Sequence, residues 1–134
     1  MRNAGAAPVR LNVPQLLVYS THDYPSSLHA QSWFSDPSYP ANLAGVWDAN
    51  WGYLVKQNIA PVLLGEFGTK YQTDSDKQWL STLGSYVSTN GLSFAFWCLN
   101  PNSGDTGGIL QNDWQTVDPN KQAALAGLLA PRIP

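Results

Sequence analysis

Three short runs of almost continuous apolar residues, each followed by a stretch with helical spacing, constrain this chain more than any other feature. The runs are Leu16–Ser20, Pro61–Gly65 and Leu92–Trp97. Hydrophobicity without strict alternation is what strands covered on both faces show. After the first run, Trp47, Trp51 and Leu54 fall at i, i+4 and i+7 and so share one helical face. After the second, Asp74 is placed to cap a helix whose buried stripe is Leu80, Leu83 and Val87. After the third, Asp118-Pro119 reads as an N-cap with proline at the first helical position, followed by Leu125, Leu128 and Leu129. Parallel strands need crossover connections, so strand–helix order repeated three times predicts an α/β fold with a parallel sheet.

Two connections are long: Asp23 to about Gly45, and Cys98 to Val117. Loops of that length are uncommon in a compact domain unless they bind something. Both follow strands and precede helices, which puts them at the C-terminal end of the sheet, where α/β barrels hold their active sites. The first strand runs out into His22-Asp23-Tyr24, and alternation sends His22 and Tyr24 to one side and Asp23 to the other. The second ends in Gly65-Glu66-Phe67-Gly68 and the third in Phe96-Trp97. Glu66 is the only glutamate in the chain. Burying a carboxylate unpaired costs several kcal/mol, so it is either one half of a structural ion pair or a functional group. The flanking glycines favour function, because they leave room for a ligand to approach. His22 alone reads as a hydrogen-bonded core histidine at least as readily as a working one. Tyr24 and Trp97 alone are evenly balanced between core and site. Their shared position at successive strand ends joins all four.

Composition removes several classes of function. Charged residues are only 12% and the formal net charge is −2, which argues against nucleic acid. There is no run of about 18 apolar residues to cross a membrane, no basic amphipathic helix to lie on one, and no signal peptide in the first residues. A single cysteine, Cys98, excludes an internal disulfide and a multi-cysteine metal site, and neither metal nor cofactor is expected. Six Trp and six Tyr remain to be explained. Flat aromatic faces suit sugar rings, although large aromatics also fill cores.

The stretches Leu11-Asn12-Val13-Pro14, Val18 to Tyr24, Trp51 to Leu54, Ala60 to Thr69 and Asn100 to Leu110 together resemble glycoside hydrolase family 5, in particular its bacterial endo-β-1,4-glucanases. The resemblance covers nearly the whole chain from about Pro8. It implies that the three strands are the last three of an eight-stranded TIM barrel, secreted and acting on β-glucan such as cellulose. It also implies that Glu66 is the nucleophile that bonds to the anomeric carbon, positioned by His22 and Tyr24. Trp97 would stack under the sugar, and Asn100, Asp105, Trp33 and Trp114 would line the glucan cleft.

The chain departs from that family in one large respect. A retaining glycosidase uses two carboxylates about 5–5.5 Å apart, and the second glutamate, with the arginine and histidine of earlier strands, is missing. A whole barrel takes roughly 250 residues, so residues 8–134 are expected to form a partial (β/α)8 barrel of three to four units. Residues 1–7 are expected to be disordered or extraneous, as in a truncated reading frame. Open strand edges invite pairing, so a homo-oligomer covering them is expected. Val9–Val13 is read as a possible fourth strand, and Asp23, Asp105 or Asp113 of a neighbouring copy as a substitute acid. The other functional reading is a glucan-binding remnant without catalysis.

Overall fold

The computed structural model describes residues 1–130. Three strands, β1 (Tyr19–Asp23), β2 (Val62–Phe67) and β3 (Ser93–Phe96), form one parallel sheet in the order β1-β2-β3. β1 lies three residues further along the chain than its apolar run. The ladder starts only where Tyr19 N–H donates to the Pro61 carbonyl at 3.0 Å, while Leu16 and Val18 stay exposed with no strand beside them. Burial on both faces, the sequence expectation, is not what the sheet shows. Val62, Leu64 and Phe67 of β2 point to the helices and are buried, whereas β1 and β3 carry exposed residues. Helices cover one face only, and the other is open.

That covered face is built as the periodicity predicts. α1 (Leu43–Trp47), a wider π turn (Asp48–Gly52) and α2 (Tyr53–Lys56) run on from one another, and Trp47, Trp51 and Leu54 are all buried. α3 (Asp74–Thr89) buries Trp79, Leu80, Leu83, Tyr86 and Val87. Its cap is Thr73 rather than Asp74: the Thr73 hydroxyl accepts from Asp76 N–H at 3.1 Å. Asp74 becomes the first helical residue, where its charge suits the positive helix end. α4 (Pro119–Leu125) starts as expected, with the Asp118 carboxylate accepting from the N–H groups of Asn120 and Lys121. The α-helix stops at Leu125 and tightens into a 3₁₀ turn over Ala126–Leu128, so Leu129 is left exposed rather than joining the stripe. Each fully buried Leu or Phe contributes about 1.5–3 kcal/mol through lost apolar hydration. The core of Leu43, Trp47, Leu64, Phe67, Trp79 and Leu83 therefore pins the helices to the back of the sheet.

The N-terminal segments behave differently from the rest. Residues 1–7 form turns held at Tyr53, whose hydroxyl accepts from Gly5 N–H at 2.8 Å and lies 2.9 Å from the Met1 carbonyl. Val9–Val13 forms no strand, so the described residues contain three units and not four. Pro8 and Pro14 bracket the segment, and Val9 N–H donates to the Tyr19 hydroxyl instead of to a neighbouring strand. Val9, Leu11, Val13 and Leu16 are exposed and line an open groove of about 850 Å³ at the N-terminal end of the sheet. Among the described residues no helix is long and apolar enough to cross a membrane.

Candidate active site

Strict alternation along β2 would put Glu66 on the same side as Val62 and Leu64, inside the core. A bulge prevents this. Thr21 pairs with Leu64 but His22 pairs with Glu66, so Gly65 is an extra residue with no partner on β1, and the β2–β3 register slips at the same place. Gly65 and Glu66 therefore both face the open side, and Phe67 returns to the core. Bulges beside active sites commonly re-aim one side chain in this way. The glycines around Glu66 have a different cause from the one expected. A Cβ on Gly65 would lie 2.2 Å from the Ser20 hydroxyl, and one on Gly68 would lie 1.9 Å from the Trp97 carbonyl. They make room for neighbouring strands rather than for a ligand.

The strand ends bring Glu66, His22 and Tyr24 together. Tyr24 Oη donates to Glu66 Oε2 at 2.8 Å, and His22 Nδ1 lies 3.3 Å from the same oxygen. Burial, reinforced by the hydrogen bond to Glu66 and its charge, pushes the Tyr24 phenol up from its usual range, so its proton stays in place. Both contacts fall on Oε2, and among the described residues no hydrogen bond reaches Oε1.

Asp23 points the other way, as alternation requires. Its Oδ1 accepts from the Trp79 indole at 2.8 Å and its Oδ2 from the Trp47 indole at 2.9 Å, and both rings are fully buried. Burial pushes its carboxyl up to about 6, even though the two indole donors favour the charge. Partly buried behind the sheet, Asp23 has both oxygens taken by the two indoles. Its effect is to clamp the end of β1 to two helices, which sets the direction of His22 and Tyr24.

A cavity of about 590 Å³ opens beside Glu66, lined also by Tyr24, Trp97 and Asp105. Trp97 is 43% exposed at the rim of this cavity. Asp105 is held low by hydrogen bonds from the Ser103 hydroxyl and the Thr106 N–H. The remaining sequence candidates lie elsewhere. Asn100 bonds its side-chain amide to Asn102 at 2.7 Å, Trp33 packs against the core beside Phe34, and Trp114 stands 55% exposed on the loop after β3. Sequence reasoning passed over Lys70, Gln72, Thr73 and Asp76, which line the cavity from the loop after β2 and the start of α3. Their position directly after the Glu66 strand was the available signal. Lys121 was also missed. It is buried and donates to the carbonyls of Thr106 and Gly108 at 2.9 and 2.6 Å, holding the loop after β3 in place. Among the described residues no cluster of His, Cys, Asp and Glu is arranged to hold a metal ion.

Residues 3–103 match the family described as Cellulase (glycosyl hydrolase family 5). The chain is 49% identical over 128 residues to an endoglucanase of Paenibacillus polymyxa, covering 94% of this chain and 32% of that protein. It is 44% identical over 110 residues to endoglucanase G of Acetivibrio thermocellus, covering 81% of this chain and 19% of that one. Among solved structures, the catalytic domain of the major endoglucanase from Xanthomonas campestris pv. campestris superposes with a TM-score of 0.86 at 36% identity, over 96% of this chain and 37% of that domain. The chain thus spans about a third or less of the relatives it matches. Its sheet and helices are a segment of the (β/α)8 barrel of those catalytic domains.

Proposed function

Because the chain belongs to glycosyl hydrolase family 5, we propose that it carries the nucleophile half of a retaining β-1,4-glucan hydrolase, with Glu66 attacking the anomeric carbon. The observation that carries this reading is the carboxylate held at the strand mouth by Tyr24 and His22 through one oxygen, with the other free, beside the exposed face of Trp97. In a retaining mechanism the nucleophile stays ionised while a separate acid protonates the leaving oxygen. Glu66 is the sole glutamate, so that acid belongs outside this chain. The relatives named endoglucanase, and an endocellulase of Pyrococcus horikoshii solved as a complex with cellotetraose, support a β-1,4-glucan as the sugar, and the major extracellular endoglucanase of Xanthomonas campestris pv. campestris supports a site of action outside the cell. The free edges of β1 and β3 and the apolar groove below them support self-association, a second copy covering what this one leaves open.

Titration with cellotetraose, followed by tryptophan fluorescence, tests the substrate. Quenching that disappears in Trp97→Ala supports the reading, and an unchanged spectrum counts against it. Any reducing-sugar release measured on size-resolved fractions should vanish in Glu66→Gln; turnover surviving that change would remove Glu66 from its role. A monodisperse monomer in light scattering at micromolar concentration would end the proposal of self-association. Cellulose binding without product in every fraction would favour the glucan-binding reading, which the exposed faces of Trp97 and Trp114 also suit.

A further inference from the structure

We infer that Lys121, on α4, is a positioning residue for the sugar site: it holds the loop after β3 so that Asp105 can accept a hydrogen bond from a glucan hydroxyl in the cavity. The inference rests on the reading of this cavity as a glucan site. It deepens that reading by naming a remote residue on which sugar affinity depends.

Lysine belongs at surfaces, and this one is 4% exposed. Burial draws its pKa below the ordinary lysine range, and the charge of Asp118 offsets only part of that. Among the described residues it forms no ion pair. Taking an ammonium out of water costs several kcal/mol, so its hydrogen bonds must recover the loss. They run to the carbonyls of Thr106 and Gly108, at 2.9 and 2.6 Å. Both carbonyls belong to one tight turn. Gly107 and Gly108 take φ of +68° and +61°, a left-handed backbone that suits glycine, and Gly107 N–H returns to the Ser103 carbonyl at 3.0 Å. Thr106 is fully buried against Gly68, where an added Cβ would lie 3.1 Å from its methyl group. The turn therefore rests on the chain just past Glu66, pinned from behind by Lys121.

Asp105 stands on this turn, immediately before Thr106, and lines the cavity. The Ser103 hydroxyl and the Thr106 N–H both donate to its Oδ1. Those donors keep the carboxyl below its usual range, so it is ionised near neutral pH. Besides burial and the bond to Glu66, the Asp105 charge helps to push up the Tyr24 phenol, which places its field in the site. Asp105 bonds only within the turn, and among the described residues no hydrogen bond reaches its Oδ2. An exposed carboxylate with one oxygen pinned and one free is an acceptor for a sugar hydroxyl. Where that free oxygen sits follows the turn, and the turn follows Lys121. Every contact in this sequence lies between β2 and α4.

The experiment titrates the full chain with cellotetraose, read by tryptophan fluorescence, in Asp105→Ala, Lys121→Met, Lys121→Gln and the double variants, each shown to be folded by circular dichroism. Asp105→Ala should weaken binding about tenfold or more, as the loss of a hydrogen bond to a charged acceptor does. Lys121→Met should weaken it by a similar factor, and the double variant no further, because both changes remove the same contact. Lys121→Gln keeps a donor on a shorter side chain and should fall between the parent and Lys121→Met. Parental affinity in the folded Met variant, or in the Gln variant should Met not fold, would overturn the inference. A Gln variant no better than Met would overturn it too, since the donor would then be irrelevant. Losses that multiply in the double variant would mark a general loosening and do the same. Parental affinity in Asp105→Ala would overturn the inference and leave the glucan reading standing. Absence of quenching in the parent would overturn that reading, and the inference with it.

Discussion

Replacing Asp23 by asparagine should remove a large part of the pH dependence of folding. The carboxyl is raised in the folded state from 3.8 to about 6, chiefly by burial. A folded-state pKa above the unfolded one means that the native state holds the extra proton. Stability from this group is therefore fully present below about pH 4 and is lost as pH rises through about 6. About two pKa units correspond to roughly 3 kcal/mol of differential stability between those limits. Asn matches the protonated carboxyl in shape and keeps one oxygen acceptor, but its NH2 faces the second indole N–H, so near pH 4 the variant should be about 1–3 kcal/mol less stable than the parent. Between pH 4 and pH 7 the difference should then move by about 2–3 kcal/mol in the variant's favour. Urea unfolding followed by circular dichroism across this range gives the comparison directly, and the other carboxylates cancel in the difference. A difference that stays flat from pH 4 to pH 7 would show that Asp23 does not carry a buried charge between the two indoles.

Other perturbations have distinct signatures. Glu66→Gln removes the charge that holds the Tyr24 proton, so the phenol should ionise at lower pH than in the parent, though burial keeps it above an ordinary tyrosine; difference absorbance against Tyr24→Phe measures this. Lys121→Met leaves the carbonyls of Thr106 and Gly108 without their ammonium donor, and a loss of about 1–3 kcal/mol in thermal or urea unfolding is expected. Gly68→Ala would drive a Cβ to within 1.9 Å of the Trp97 carbonyl, so the strand end must shift. That should cost at least about 1–3 kcal/mol and weaken cellotetraose quenching of Trp97, while an unaltered protein would show that β2 and the start of the loop after β3 are further apart than described.

The helices were legible because their signal is redundant. Trp47, Trp51 and Leu54, and likewise Leu80, Leu83 and Val87, repeat one face several times, so a single odd residue cannot hide it. The strands were less legible. Leu16-Leu17-Val18 is as apolar as any strand, yet it has no neighbour to bond with, and apolarity does not reveal whether a partner strand exists. Thr73 and Asp74 are both good caps, and only the hydrogen bond to Asp76 separates them. Glu66, His22, Tyr24 and Trp97 were singled out by position at strand ends, and the structure puts Tyr24 and His22 against the Glu66 carboxylate. Lys121 escaped because lysine is normally at the surface, and its burial depends on two loop carbonyls that no local pattern announces.

The unpaired glycine in β2 has a wider effect than turning one side chain. Upstream of it, Val62 and Leu64 answer to the packing of the helices; downstream, the orientation of Glu66 answers to His22 and Tyr24 across the strand. Because the two stretches are out of step by one residue, the hydrophobic layer can exchange one aliphatic for another without rotating the carboxylate. Chemistry and solidity are thus inscribed on the same six residues in separate phases, and either can drift while the other is conserved. Pulling Gly65 back into register with β1 would merge them, sending the carboxylate into the oil and a phenylalanine into the mouth.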